Sequence, residues 1–88
     1  MTNPIETPED KYRRLAWQCR RGIKEVEVVL LPFFEQHFLS IPAADQALFE
    51  RLLEEQDVDM FEWFTKRTLP EDQDLARIVK MVLFGVDA

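Results

Sequence analysis

Residues 23–37 read IKEVEVVLLPFFEQH, and the fold turns on this stretch. Val26, Val29, Leu30, Phe33, Phe34 and His37 recur at steps of three and four, the spacing that lines side chains along one face of a helix. Val28 and Leu31 widen that face until most of the circumference is apolar, so the stretch is expected to be the central helix of its domain. Pro32 stands inside the pattern. Lacking an N–H, it cannot donate to the carbonyl four residues back, so a kink or a break is expected there.

Upstream, Thr7 suits an N-cap, Pro8 the first helical position, and Glu9 and Asp10 the positive end of the helix dipole. Tyr12, Leu15, Ala16 and Cys19 form an apolar stripe, with Trp17 off it. Arg20 and Arg21 would sit at the negative end, and Gly22 suits a left-handed residue closing this first helix. Downstream, Ser40-Ile41-Pro42 breaks the chain, with Pro42 a plausible first helical residue. Leu48, Phe49, Leu52 and Leu53 mark a third helix ending near Gln56. Asp57 or Asp59 would cap a short fourth helix carrying Met60, Phe61, Trp63 and Phe64. Leu69-Pro70-Glu71-Asp72 would open a fifth, with proline and acids in its first turn. Leu75, Ile78, Val79, Val82, Leu83 and Val86 give that helix the cleanest stripe of all, leaving Met81 and Phe84 off it. Five amphipathic segments with short connections predict an all-α five-helix bundle, one domain over residues 1–88 with residues 1–6 as a flexible start.

Composition agrees. The 88 residues are 47% apolar with two glycines and no low-complexity run. That suffices for one packed core and leaves little room for a deep cavity. A single cysteine forms no internal disulfide. Met1–Glu6 has neither the basic, apolar start of a secretory signal nor the Arg-rich character of a presequence, and the longest apolar run is too short to span a bilayer. A soluble cytoplasmic protein without membrane insertion is expected.

The residues that carry chemistry are few. Cys19 reads as a buried thiol with no C-x-x-C partner, and His37 as a lone packing or capping histidine with no second metal ligand in spacing. Ser40 is the only serine, which leaves no triad to assemble. The acidic run from Glu54 to Asp59 fails the calcium-loop pattern at Phe61 and Glu62. Two isolated glycines make no phosphate loop. Neither a catalytic residue nor a metal site is expected.

Charge is unevenly placed. The net value is −6, yet Lys11, Arg13, Arg14, Arg20, Arg21 and Lys24 cluster without an intervening acid, while five basic and fourteen acidic residues follow from Glu25 onward. Such a basic face could dock on an acidic partner or on phosphates. A regulatory or nucleic-acid-binding module using Arg13 to Lys24 is the alternative function, although the acidic chain is unlike most nucleic-acid modules.

At the centre of that cluster lies Arg21-Gly22-Ile23-Lys24-Glu25, an apparent charged elbow between two helices. Arg21 and Glu25 could form a weak ion pair in its poorer orientation. Gly22 could serve a positive φ or the close approach of a partner's backbone. These residues resemble the R-G-x-x-E signature of the succinate dehydrogenase assembly factor 2 family, the flavinator or FAD assembly factor proteins. Tyr12-Arg13-Arg14-Leu15 before it, Val29-Leu30-Leu31-Pro32-Phe33-Phe34 after it, and Leu52-Leu53-Glu54 with Asp57, Asp59 and Trp63 extend the resemblance over nearly the whole chain. It implies a five-helix assembly factor that binds the flavoprotein subunit of succinate dehydrogenase, and in bacteria often of fumarate reductase too, and promotes covalent attachment of FAD to it. FAD would then belong to the partner and not be held stably by this chain, which would be a monomer when free. By carry-over, Arg21, Gly22 and Glu25 are the partner-binding residues, with Arg21 meeting a carboxylate or carbonyls of the flavoprotein. Arg14, Trp17, Arg20 and Trp63 are secondary interface candidates. Nothing is carried over for Glu27.

Overall fold

A computed structural model describes residues 6–86. Five helices follow one another: α1 (Pro8–Gln18), α2 (Lys24–His37), α3 (Ala43–Leu52), α4 (Asp57–Phe64) and α5 (Gln73–Phe84), with a 3₁₀ turn at Phe38–Ser40. Among the described residues there is no strand. Helix α2 packs against α1, α4 and α5, and α3 packs along α5, so α2 is central as its broad apolar surface requires. The expected flexible start falls almost wholly outside the described residues. Glu6, which lies within them, is held by Arg14 through Nε at 2.8 Å and Nη2 at 3.2 Å.

Each stripe turns inward. Leu15, Cys19, Val26, Leu30, Phe33, Phe34, Phe49, Leu52, Met60, Ile78 and Val79 are buried. Phe33, Phe34, Phe38 and Phe49 stack at centroid distances between 4.9 and 5.9 Å, which ties α2 and its 3₁₀ extension to α3. Tyr12 joins from α1 at 4.6 Å from Phe34. Met81, off the α5 stripe by spacing, is also buried, because α5 is covered by both α2 and α3.

Several local expectations are corrected. Helix α2 runs unbroken through Pro32; the carbonyl that the proline leaves without a donor belongs to Val28, an exposed residue. Pro42 is the N-cap of α3, not its first residue, and α3 ends at Leu52 rather than near Gln56. Gln56, not an aspartate, precedes α4, because the Asp57 carboxylate is engaged elsewhere. Helix α5 starts only at Gln73, where Asp72 accepts the Asp74 and Leu75 amides; Leu69-Pro70-Glu71 lies before it. Gly22 has no left-handed conformation: among the described residues only Lys66 (φ 65) and Gly85 (φ 103) have positive φ.

Candidate functional site: the elbow between the first two helices

The elbow spans residues 19–23, between the end of α1 and the start of α2. Sequence reasoning has Arg21 exposed and reaching outward. The structure turns it inward, with its side chain only 15% exposed. Its Nε donates to Asp57 Oδ1 at 2.7 Å, one Nη to the carbonyls of Gln18 and Leu53 at 2.8 and 3.1 Å, and the other to the Glu55 carbonyl at 2.9 Å. Gln18 closes α1 and Leu53 caps α3, and terminal carbonyls of this kind lack a partner within their own helices. One guanidinium thus caps two helices and ties their ends to the first residue of α4. Four of its five N–H groups are spent inside the chain, so Arg21 grips its own fold.

The backbone of the elbow is fastened too. The Arg21 amide donates to Glu27 Oε1 at 3.0 Å and the Gly22 amide to Asp57 Oδ2 at 2.9 Å. Burial alone would raise the Asp57 carboxyl, but the hydrogen bond and charge of Arg21, with the Gly22 and Ile23 amides, outweigh it and hold the group below the usual carboxylate range. Glu27 is lowered chiefly by the Arg21 amide, against some desolvation, with Lys24 assisting from 3.3 Å. Asp57 and Glu27 are the residues that sequence reasoning missed. By sequence Asp57 is a candidate cap of α4 and part of a later pattern, not a partner of Arg21; its acidic side chain in the first turn of a short helix is the available signal.

Glu25 does not orient Arg21. It is exposed and has no hydrogen-bond or ion-pair partner among the described residues. Gly22 is exposed as well, and a Cβ added there would meet Asp57 Oδ2 at 3.5 Å, an ordinary contact. The elbow therefore presents Gly22 and Glu25 on its outer side and hides Arg21 beneath.

The secondary candidates divide. Trp17 is 71% exposed, with the Arg20 guanidinium 5.6 Å over its ring, and the two share a shallow hollow with Leu31 and Glu35 of α2. Arg14 is occupied by Glu6 and Gln18. Trp63 lines a different hollow, between α4 and α5, together with Phe84, so the apolar candidates do not converge at the elbow. In the basic cluster, Lys11, Arg13, Arg14, Arg21 and Lys24 pair with Glu50, Asp10, Glu6, Asp57 and Glu27. Of that cluster only Arg20 lacks a carboxylate partner among the described residues, so phosphates would have to displace existing pairs.

Cys19 is buried, and desolvation pushes its thiol up to about 12, which keeps it protonated and unreactive. Among the described residues no three His, Cys, Asp or Glu side chains gather in a metal-holding group, and no helix is long and apolar enough to cross a membrane.

The family model described as "Flavinator of succinate dehydrogenase" matches residues 13–83, from the middle of α1 to the end of α5. The chain belongs to this flavinator family. Its relatives include the FAD assembly factor SdhE of Pseudomonas aeruginosa, 48% identical over 75 residues, which cover 85% of this chain and 89% of the relative. That of Pseudomonas putida is 40% identical over 75 residues with the same coverage. That of Photorhabdus laumondii is 38% identical over 73 residues, 83% of each chain. The flavinator match contains the whole elbow together with Asp57, the residue that locks it.

Proposed function

We infer that this protein is an assembly factor that binds the flavoprotein subunit of succinate dehydrogenase and promotes covalent attachment of FAD to it. Family membership supports the role, and the elbow supports the means: a locked turn whose outer side offers Gly22 and Glu25. The fold itself makes little demand for glycine at position 22, where φ is not positive and a Cβ has room. A partner backbone that must approach closely makes that demand. Glu25, exposed and unpaired, is free to accept a donor from the partner. Arg21 acts as a positioning residue that fixes the turn, and Trp17 with Arg20 extends the contact along α1.

The chain performs no bond-making in this reading. Its lone thiol is protonated and buried, so the reacting group and the flavin both belong to the partner. Binding energy spent on one conformation of the subunit can hold nucleophile and cofactor in near-attack geometry, which lowers a barrier by up to about 7–11 kcal/mol. FAD is not held stably by the chain, the free protein is a cytoplasmic monomer, and the flavoprotein subunit of fumarate reductase is a second client.

The test is coexpression with the flavoprotein subunit, followed by covalent flavin fluorescence in a denaturing gel. Gly22→Leu is expected to abolish the fluorescent band while its circular dichroism matches the parent. A full-strength band with Gly22→Leu overturns the close-approach reading.

A further inference from the structure

From Glu25 onward the chain carries five basic residues against fourteen acidic ones. Four of those five, Lys66, Arg67, Arg77 and Lys80, line two adjoining hollows that share Lys80 and Phe84; among the described residues no carboxylate lines either, Arg67 pairing with Glu62 and Arg77 with Asp45 outside the lining. The larger hollow runs between the end of α4, the following loop and α5. Its apolar wall is Trp63, Leu69, Val79, Leu83 and Phe84. Leu69 and Phe84 are large apolar side chains left 58% and 59% exposed. Lys66 and Lys80 have no ion-pair partner among the described residues, and Lys66 Nζ lies 5.0 Å over the Phe84 ring. Lys66 also holds a left-handed backbone (φ 65), a conformation that usually falls to glycine at a helix end.

We propose that this cationic, apolar-walled groove is a second docking surface, taking an acidic segment of the flavoprotein subunit whose large apolar side chains seat between Trp63 and Phe84. The proposal rests on the reading of this chain as a binder of that subunit. Charge complementarity selects the occupant. A chain of net charge −6 repels acidic surfaces in general, whereas Lys66 and Lys80, unpaired among the described residues on the rim of this groove, draw an acidic segment in. The two hollows adjoin across Lys80 and Phe84, which suits a polypeptide segment longer than a single side chain. Being separate from the elbow, it would supply a second contact on the same client and fix the orientation in which Gly22 and Glu25 arrive.

The test uses the purified full chain and the purified apo flavoprotein subunit. Lys66→Glu combined with Lys80→Glu is expected to raise Kd at least tenfold and to flatten its dependence on salt. Lys66→Gly should raise the melting temperature by relaxing the left-handed residue, yet weaken binding, which separates groove from fold. A benzophenone side chain at position 84 should crosslink to an acid-rich peptide of the subunit, whereas one at exposed position 39 should not. Wild-type affinity in the double charge reversal overturns the proposal. So does a position-84 crosslink to a second copy of this chain, or protection of that position by free FAD, which would make the occupant a copy or a dinucleotide. If wild type itself fails to bind the subunit, the assembly-factor reading falls. If wild type binds, Gly22→Leu does not, and the groove variants bind normally, only the groove is lost.

Discussion

Arg21→Lys keeps the charge and removes the fork. The guanidinium makes four hydrogen bonds, to Asp57, Gln18, Leu53 and Glu55, from three nitrogens that face different ways. A lysine ammonium is a single point on a flexible stem and can satisfy one or two of these acceptors. Loss of two or three bonds at about 1 kcal/mol each costs about 2–3 kcal/mol. A domain of this size has about 4–13 kcal/mol in total. With about 4–8 °C per kcal/mol for small domains, Arg21→Lys should melt about 10–20 °C below the parent. Arg21→Ala, which also leaves Asp57 unpaired, should fall further. Thermal unfolding followed by far-ultraviolet circular dichroism measures this directly, with urea unfolding as a second estimate. The same variants should lose flavinylation steeply on warming and recover part of it at low temperature, where the bundle is folded. A melting temperature for Arg21→Lys within about 3 °C of the parent would refute the lock, and Arg21 would then act outside its own chain.

The two glycines should behave oppositely on replacement by alanine. Gly85→Ala forces a Cβ into φ 103, ψ 169, a region almost confined to glycine, and should cost about 1–3 kcal/mol by thermal melting. Gly22→Ala should change stability by less than about 1 kcal/mol, because its Cβ has ordinary contact distance. Acid should weaken the fold in a defined window. The folded-state values of Asp57, Glu27 and Asp72 lie below their unfolded ones, so their stabilisation is present above about pH 4 and is lost as pH falls through the lowered values. Melting temperatures at pH 7, 5 and 3 should show a plateau and then a drop, and Asp57→Asn should flatten the drop. Trp17→Ala should leave the melting temperature unchanged within a few degrees and weaken binding to the flavoprotein subunit by about 2 kcal/mol, read by titration calorimetry.

Helical periodicity located all five helices, since the spacing of residues such as Leu75, Ile78, Val79 and Val82 is a local property that any amphipathic helix must display. It misjudged boundaries wherever a tertiary contact decided them. Asp57 looks like a cap and acts as a counter-ion to a residue 36 positions earlier. Asp45 looks like an ordinary first-turn acid and is buried against Arg77 of α5. Val28 extends the apolar face of α2 and yet stays exposed, because no neighbouring helix reaches that side. The elbow was legible as a place and as a family signature, but not in its geometry. Spacing within one segment says nothing of carbonyls at 53 and 55, so by spacing alone Arg21 reaches outward with Glu25 as its partner. The roles fell instead to Asp57 and Glu27, whose reach across connections no periodicity encodes.

Cys19, wholly enclosed where α1 meets the elbow, turns the molecule into its own clock. An alkylating reagent cannot touch that sulfur until the surrounding helices part, and the thiolate it requires is scarce until they do. Mass added per minute therefore counts excursions out of the closed form. The same count taken with the client subunit present would record how firmly the complex holds the small protein shut.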